Sequence, residues 1–134
     1  MKAARPFVDT NVLLYLLSAD ESKANRAEQV LSAGGVLSVQ VLNEFASVAA
    51  RKLKMSIAEV RETLAAVRAA CQVVPLSVET HDLGLRIAER YGASIYDAMI
   101  IASALLAGCK TILSEDMQEG MRFHENLDIR NPFH

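Results

Sequence analysis

Apolar positions along this chain alternate between two rhythms, short unbroken runs and longer stretches at helical spacing. Residues 5–8 form a first short run, a strand that leads into Asp9, and Val12, Leu13, Leu16 and Leu17 then follow at helical intervals. Ser18 with Glu21 has capping-box spacing and predicts a second helix to about Ala33, stopped by Gly34-Gly35. Residues 36–39 make a second strand and residues 40–54 a third helix. Ser56 with Glu59 is another capping box, opening a helix that ends near Cys71. A third strand over residues 72–76 precedes a helix from about Val78 to Tyr91-Gly92. Residues 94–109 form a further, strongly apolar helix, and residues 110–114 a fourth strand. Residues 117–126 are the least regular, suited to a mobile loop, and residues 127–130 add a short fifth strand. Short apolar strands alternating with helices predict an α/β layer architecture around a mostly parallel sheet of four to five strands, in one domain over residues 1–134.

Composition narrows the class. A hydrophobic fraction of 51% with three prolines excludes a disordered chain. Cys71 and Cys109 lie in apolar contexts at helix ends, as buried thiols of a reducing compartment do. The N-terminus is basic but meets Asp9 before any long apolar run, which makes a poor signal peptide. The longest uncharged apolar run, residues 98–109, falls short of the roughly 20 residues needed to span a bilayer. A cytoplasmic protein without a membrane segment is the expectation. Lys and Arg number 14 and Asp and Glu 16, a formal net charge of −2.

Four carboxylates change the picture. Asp97 is the only charged residue between Ser94 and Cys109, in a helix expected to be buried almost all round. An ionised carboxylate there costs several kcal/mol unless a positive partner reaches it. Asp9 follows the first strand and Asp116 the fourth, and the carboxyl ends of strands line the crevice of an open α/β sheet. Glu44 shares a helix face with Val41, Phe45 and Val48. Each acid also has an ordinary explanation: Asp9 as a helix cap, Glu44 at a boundary, Asp97 completing a box with Ser94, and Asp116 in a loop. Together on one inferred edge they point to a shared divalent cation. Oxygen-only ligation suits Mg²⁺ or Mn²⁺ rather than zinc, because His81, His124 and His134 are scattered. With these four acids set aside, 14 basic residues face 12 acidic ones, a balance of +2 that neither supports nor excludes a polyanionic substrate.

The segments VDTNVLLY (Val8 to Tyr15), QVLNEFASV (Gln40 to Val48), YDAMIIASAL (Tyr96 to Leu105) and ILSEDM (Ile112 to Met117) resemble the PIN-domain nucleases, more narrowly the VapC-like ribonuclease toxins of bacterial toxin–antitoxin pairs. The resemblance spans nearly the whole chain. It implies a PIN-like α/β/α sandwich, a Mg²⁺- or Mn²⁺-dependent endoribonuclease that leaves a 5′-phosphate and a 3′-hydroxyl, a cognate antitoxin and frequent homodimerisation. Asp9, Glu44, Asp97 and Asp116 would form the acidic quartet, with Asn11 and Ser114 as polar residues that orient acids or water. Glu115 and Glu119 are further acids that would substitute for or assist a ligand, which leaves the fourth ligand open.

Arg51, Lys52 and Lys54 end the Glu44 helix and are candidate RNA-backbone contacts, although a helix C-terminus attracts such charges anyway. Three Tyr, four Phe and no Trp favour recognition of a structured RNA over stacking along an extended strand. Val60, Leu64 and Val67 supply apolar surface for the core, an antitoxin groove or a dimer seam. Two rival readings are a non-catalytic RNA- or protein-binding module of the same fold and a phosphoryl-accepting receiver-like domain. The second expects an acid pair after the first strand, whereas Asp9 is followed by Thr10 and Asn11.

Overall fold

The computed structural model describes residues 5–117, 120, 122–123 and 126–133. Strand β1 (Phe7–Val8) is followed by α1 (Thr10–Leu14), a 3₁₀ turn (Tyr15–Leu17) and α2 (Glu21–Ser32). Next come β2 (Val36–Ser38), α3 (Val39–Lys52), α4 (Ile57–Ala70), β3 (Gln72–Val74), α5 (Val78–Tyr91) and α6 (Ile95–Leu106). The chain finishes with β4 (Thr111–Leu113), β5 (Arg122–Phe123) and β6 (Leu127–Arg130).

The strand order is β3-β2-β1-β4-β6-β5. The first five are parallel, and β5 pairs antiparallel with β6 through Arg122↔Asp128 and Phe123↔Leu127. One strand therefore lies inside the stretch expected to be a loop. Two-residue β5 lacks the apolar run by which the other strands announce themselves, and pairing with β6 alone defines it.

The chain winds from β1 outward through β2 and β3, then returns past β1 to lay down β4 on its other side. This reversal is a topological switch point, and it opens a crevice at the carboxyl ends of β1 and β4. The register Phe7↔Ile112, Val8↔Leu113 aligns those two ends. Helices α1, α3 and α4 pack in series, α5 lies along α6, and α3 and α6 reach the sheet, giving the α/β/α sandwich. Phe7, Leu37, Ile112, Leu127 and Ile129 of the strands are buried with Phe45, Ile87, Ile100 and Ile101 of the helices. Val60 and Val67 belong to this core and Leu64 packs against it.

The capping signals hold with one exception. Ser56 and Glu59 form the reciprocal box expected, and Gly92 takes the left-handed conformation (φ 69°) that ends α5. The cap of α2, however, is Asp20, whose carboxylate accepts from the backbone N–H groups of Ser22 and Lys23, while Ser18 accepts from the N–H of Asp20. The Ser18–Glu21 spacing was a coincidence of composition. Among the described residues no helix is long and apolar enough to cross a membrane, and Cys71 and Cys109 are free and buried.

Candidate active site

Asp9 sits where β1 hands over to α1, with its backbone N–H bonded to the Leu113 carbonyl of β4 (3.0 Å). It is the N-cap of α1, and one carboxylate oxygen accepts from the Thr10 N–H at 2.7 Å. The other accepts from the Ser114 hydroxyl at 2.8 Å and the Asn11 amide at 3.0 Å. The residue is 5% exposed, and burial raises its pKa to about 6, with the charges of Asp97 and Glu44 adding to the rise and the hydrogen bonds opposing it. Asp9, rather than Asp97, is the more deeply buried of the two carboxylates.

Helix α3 issues directly from β2, capped by the Ser38 hydroxyl, and presents Glu44 about a turn and a half along. The Thr10 hydroxyl donates to the Glu44 carboxylate at 2.8 Å. Asp97 lies in the first turn of α6, its N–H capped by Ser94. The buried stretch of α6 begins only at Ala98, so Ile95, Tyr96 and Asp97 are exposed, which corrects the expectation of a helix buried all round. The packing that encloses residues 98–104 does not reach this first turn. The Asp97 pKa is still raised, first by partial desolvation at the cleft and then by Asp116. Asp116 stands on the turn after β4.

These four carboxylates line one cleft of about 660 Å³. Three electrostatic couplings, Asp97 and Glu44 on Asp9 and Asp116 on Asp97, join them into one field of like charge. Among the described residues no three acidic, histidine or cysteine side chains close into a tight cage. The donor set, carboxylates opening on solvent, fits a hard cation that keeps several waters.

Asn11 and Ser114 both hydrogen-bond the Asp9 carboxylate. Ser114 is fully buried, donates to Asp9, and accepts from Asn11 (3.2 Å) and the Met117 N–H (3.1 Å). The Asn11 carbonyl accepts from the Glu115 N–H at 3.0 Å. Glu115 itself does not line the cleft, because its carboxylate turns to Tyr15 and Lys23. Glu119 lies outside the described residues, as do His124 and His134, and His81 is exposed. Of the basic trio, Arg51 reaches the cleft, while Lys52 and Lys54 are exposed and do not line it.

Several cleft residues escaped the sequence reading. Thr10 orients Glu44, and the largely buried Gln40 donates to the Tyr96 carbonyl at 3.0 Å, tying α3 to the turn that carries Asp97. Asn43, Ser47 and Tyr96 also line the cleft. A signal was present: Gln40, Glu44, Ser47 and Arg51 recur at helical spacing and form a polar stripe on an otherwise apolar helix.

A PIN domain family model matches residues 7–119, the stretch that carries all four carboxylates. The chain belongs to the PIN domain family. Solved structures share this fold. A toxin–antitoxin complex from Klebsiella pneumoniae is 20% identical with a TM-score of 0.71, the match covering 95% of this chain and 97% of that one. VapC20 of Mycobacterium tuberculosis, a sarcin–ricin loop cleaving toxin, is 19% identical at a TM-score of 0.66, covering 82% and 90%. VapBC2 of Rickettsia felis, bound to a fragment of its promoter DNA, is 20% identical at 0.66, covering 93% and 96%. No curated protein matches in sequence. In this PIN domain the acids sit at the crevice that the switch point creates.

Proposed function

We propose that this PIN domain is a divalent-cation-dependent endoribonuclease, the toxin of a toxin–antitoxin pair. The observation that carries this reading is the convergence of Asp9, Glu44, Asp97 and Asp116 on one cleft, with Asp9 desolvated and held by three donors. Asp9, Asp97 and Asp116 would hold Mg²⁺ or Mn²⁺, with Glu44 completing the shell or orienting water. The bound cation would supply charge neutralisation at the scissile phosphodiester and lower the pKa of attacking water. Ser114 and Asn11 keep Asp9 fixed, and Thr10 holds Glu44, so the acids need little rearrangement during reaction.

The cleft walls suit a nucleic acid. Asn43, Ser47 and Arg51 supply donors along α3, with the Arg51 Nε anchored on the Ser47 hydroxyl at 3.1 Å, and Tyr96 lines the same cleft with 67% exposure. A phosphate at Arg51 and a base against Tyr96 would place the backbone near the acids. The antitoxin partner follows from the company the fold keeps, since structures similar to this chain are toxin–antitoxin complexes. A cytoplasmic homodimer belongs to the same reading.

Purified protein incubated with total cellular RNA and Mn²⁺ tests it, beside Asp97→Asn purified identically. Discrete metal-dependent products from the wild type alone are the expected result. Equal outcomes from two folded proteins would favour the non-catalytic RNA- or protein-binding module of the same fold.

A further inference from the structure

The four carboxylates are not equally restrained. Asp9 is held by three donors, Glu44 by the Thr10 hydroxyl, and Asp97 rides on a capped helix of twelve residues. Asp116 differs. It stands on an exposed turn, and among the described residues nothing hydrogen-bonds its side chain. It lines the cleft beside the like-charged Asp97. Whatever fixes that turn therefore decides where Asp116 points.

The turn is fixed on the side facing away from the cleft. The Tyr15 hydroxyl donates to one Glu115 oxygen, and the Lys23 ammonium approaches the other at 3.4 Å. Lys23 also donates to the Tyr15 oxygen at 3.1 Å and lies 4.6 Å from the centroid of its ring, closing a three-residue clamp. The Glu115 N–H is meanwhile held by Asn11 and the Met117 N–H by Ser114. Tyr15 is braced in turn by an edge-on contact with Phe133, 4.6 Å between centroids, and the neighbouring Pro132 carbonyl accepts from Arg26 at 2.7 Å. Helix α2, the C-terminal residues and the Asp116 turn are thus one assembly.

We propose that Glu115 is a positioning residue rather than a cation ligand: clamped by Tyr15 and Lys23, it orients the turn that presents Asp116 to the cleft. This rests on the cation-dependent reading of the site. With both oxygens engaged outside the cleft, Glu115 has none to offer a metal without breaking the clamp. The Lys23 and Glu115 side chains are 38% and 28% exposed, a range in which an ion pair adds little to global stability. The effect of the clamp falls instead on the geometry of one short turn, as residues behind metal ligands act on affinity.

The test is Mn²⁺ affinity, read by the electron paramagnetic resonance of free Mn²⁺, for the wild type, Tyr15→Phe, Glu115→Gln and the double variant. Tyr15→Phe keeps the ring against Phe133 and removes only the hydroxyl. Each single variant should weaken Mn²⁺ binding about 10-fold with an unchanged melting temperature, and the double variant should bind no worse than either. Amide exchange over residues 114–117 of the metal-free protein should quicken in both. Loss of affinity in Glu115→Gln alone would make Glu115 a ligand and overturn the proposal, as would wild-type affinity in both variants. A wild type that binds no Mn²⁺ would sink the cation-dependent reading and this inference with it, an outcome distinct from the other two.

Discussion

At the scale of single residues, Asp9 controls how the metal-free protein responds to pH. Its carboxyl titrates near 6 instead of the usual 3.8, so between those values the native state holds a proton that the unfolded chain releases. The resulting stability is fully present below pH about 4 and lost as pH rises through about 6. The interval corresponds to about 3 kcal/mol, on the order expected for a buried carboxyl. Urea unfolding in a chelator should therefore show the wild type losing stability from pH 4 to pH 7 relative to Asp9→Asn, which cannot ionise. A flat difference would mean that Asp9 is solvated. The raised pKa of Asp97 acts in the same direction.

At the scale of elements, two positions are set by contacts or conformations that a residue list does not display. Helix α3 ends with Lys54 in the left-handed region (φ 56°), and the Met55 N–H returns to the Ala49 carbonyl at 3.1 Å. A side chain there costs roughly 1–2 kcal/mol that glycine avoids, less the entropy glycine adds to the unfolded chain. Lys54→Gly should raise stability by about 0.5–1 kcal/mol in thermal or urea melts. Where α5 meets α6, a Cβ on Gly84 would stand 2.6 Å from the Met99 sulfur and 3.5 Å from its Cα. Gly84→Val should cost about 2–3 kcal/mol through overpacking. The penalty should shrink in a Met99→Ala background, a coupling that a double-mutant cycle measures. Independent effects would show that the helices part rather than repack.

At the scale of the whole molecule, the family match ends at residue 119, while the sheet continues beyond it. Strand β6 inserts beside β4, buries Leu127 and Ile129, and supplies the Arg130 carbonyl that receives the Ser114 N–H at 2.9 Å. Each such side chain contributes about 1.5–3 kcal/mol, against a total stability of about 5–15 kcal/mol for a typical domain. A chain ended at residue 126 should lose cooperative unfolding by circular dichroism. A sharp transition in that truncated protein would show that the fold closes without β6. On the cation-dependent proposal, Mn²⁺ at 100 times its dissociation constant should stabilise the 134-residue chain by about 2.7 kcal/mol, and a chelator should remove the effect.

Much of this was legible in the residues themselves. Local signals are short-range: the Ser56–Glu59 box, the Gly92 stop and the alternation of apolar runs with helical stripes each depend on a few neighbouring positions, and they fixed the α/β class and most element positions. The four carboxylates stood out because an acid beside an apolar run has to be accounted for, and their order along the chain matched a family. What a linear pattern cannot contain is distance between remote segments. Desolvation depends on what closes over a group, so only packing revealed Asp9 as the buried acid and left Asp97 on an open turn. Glu115 was one more acid near a site until its carboxylate was found facing Tyr15 and Lys23, partners 100 and 92 residues away. Strand β5 exists because β6 offers it an edge, and β1 and β4 frame the crevice because the winding reverses between them. Sequence determined which acids stood out as candidates, through their apolar surroundings and a resemblance to one family. The tertiary structure decided which of them share a cleft and which turn away, because orientation and burial are properties of the packed chain.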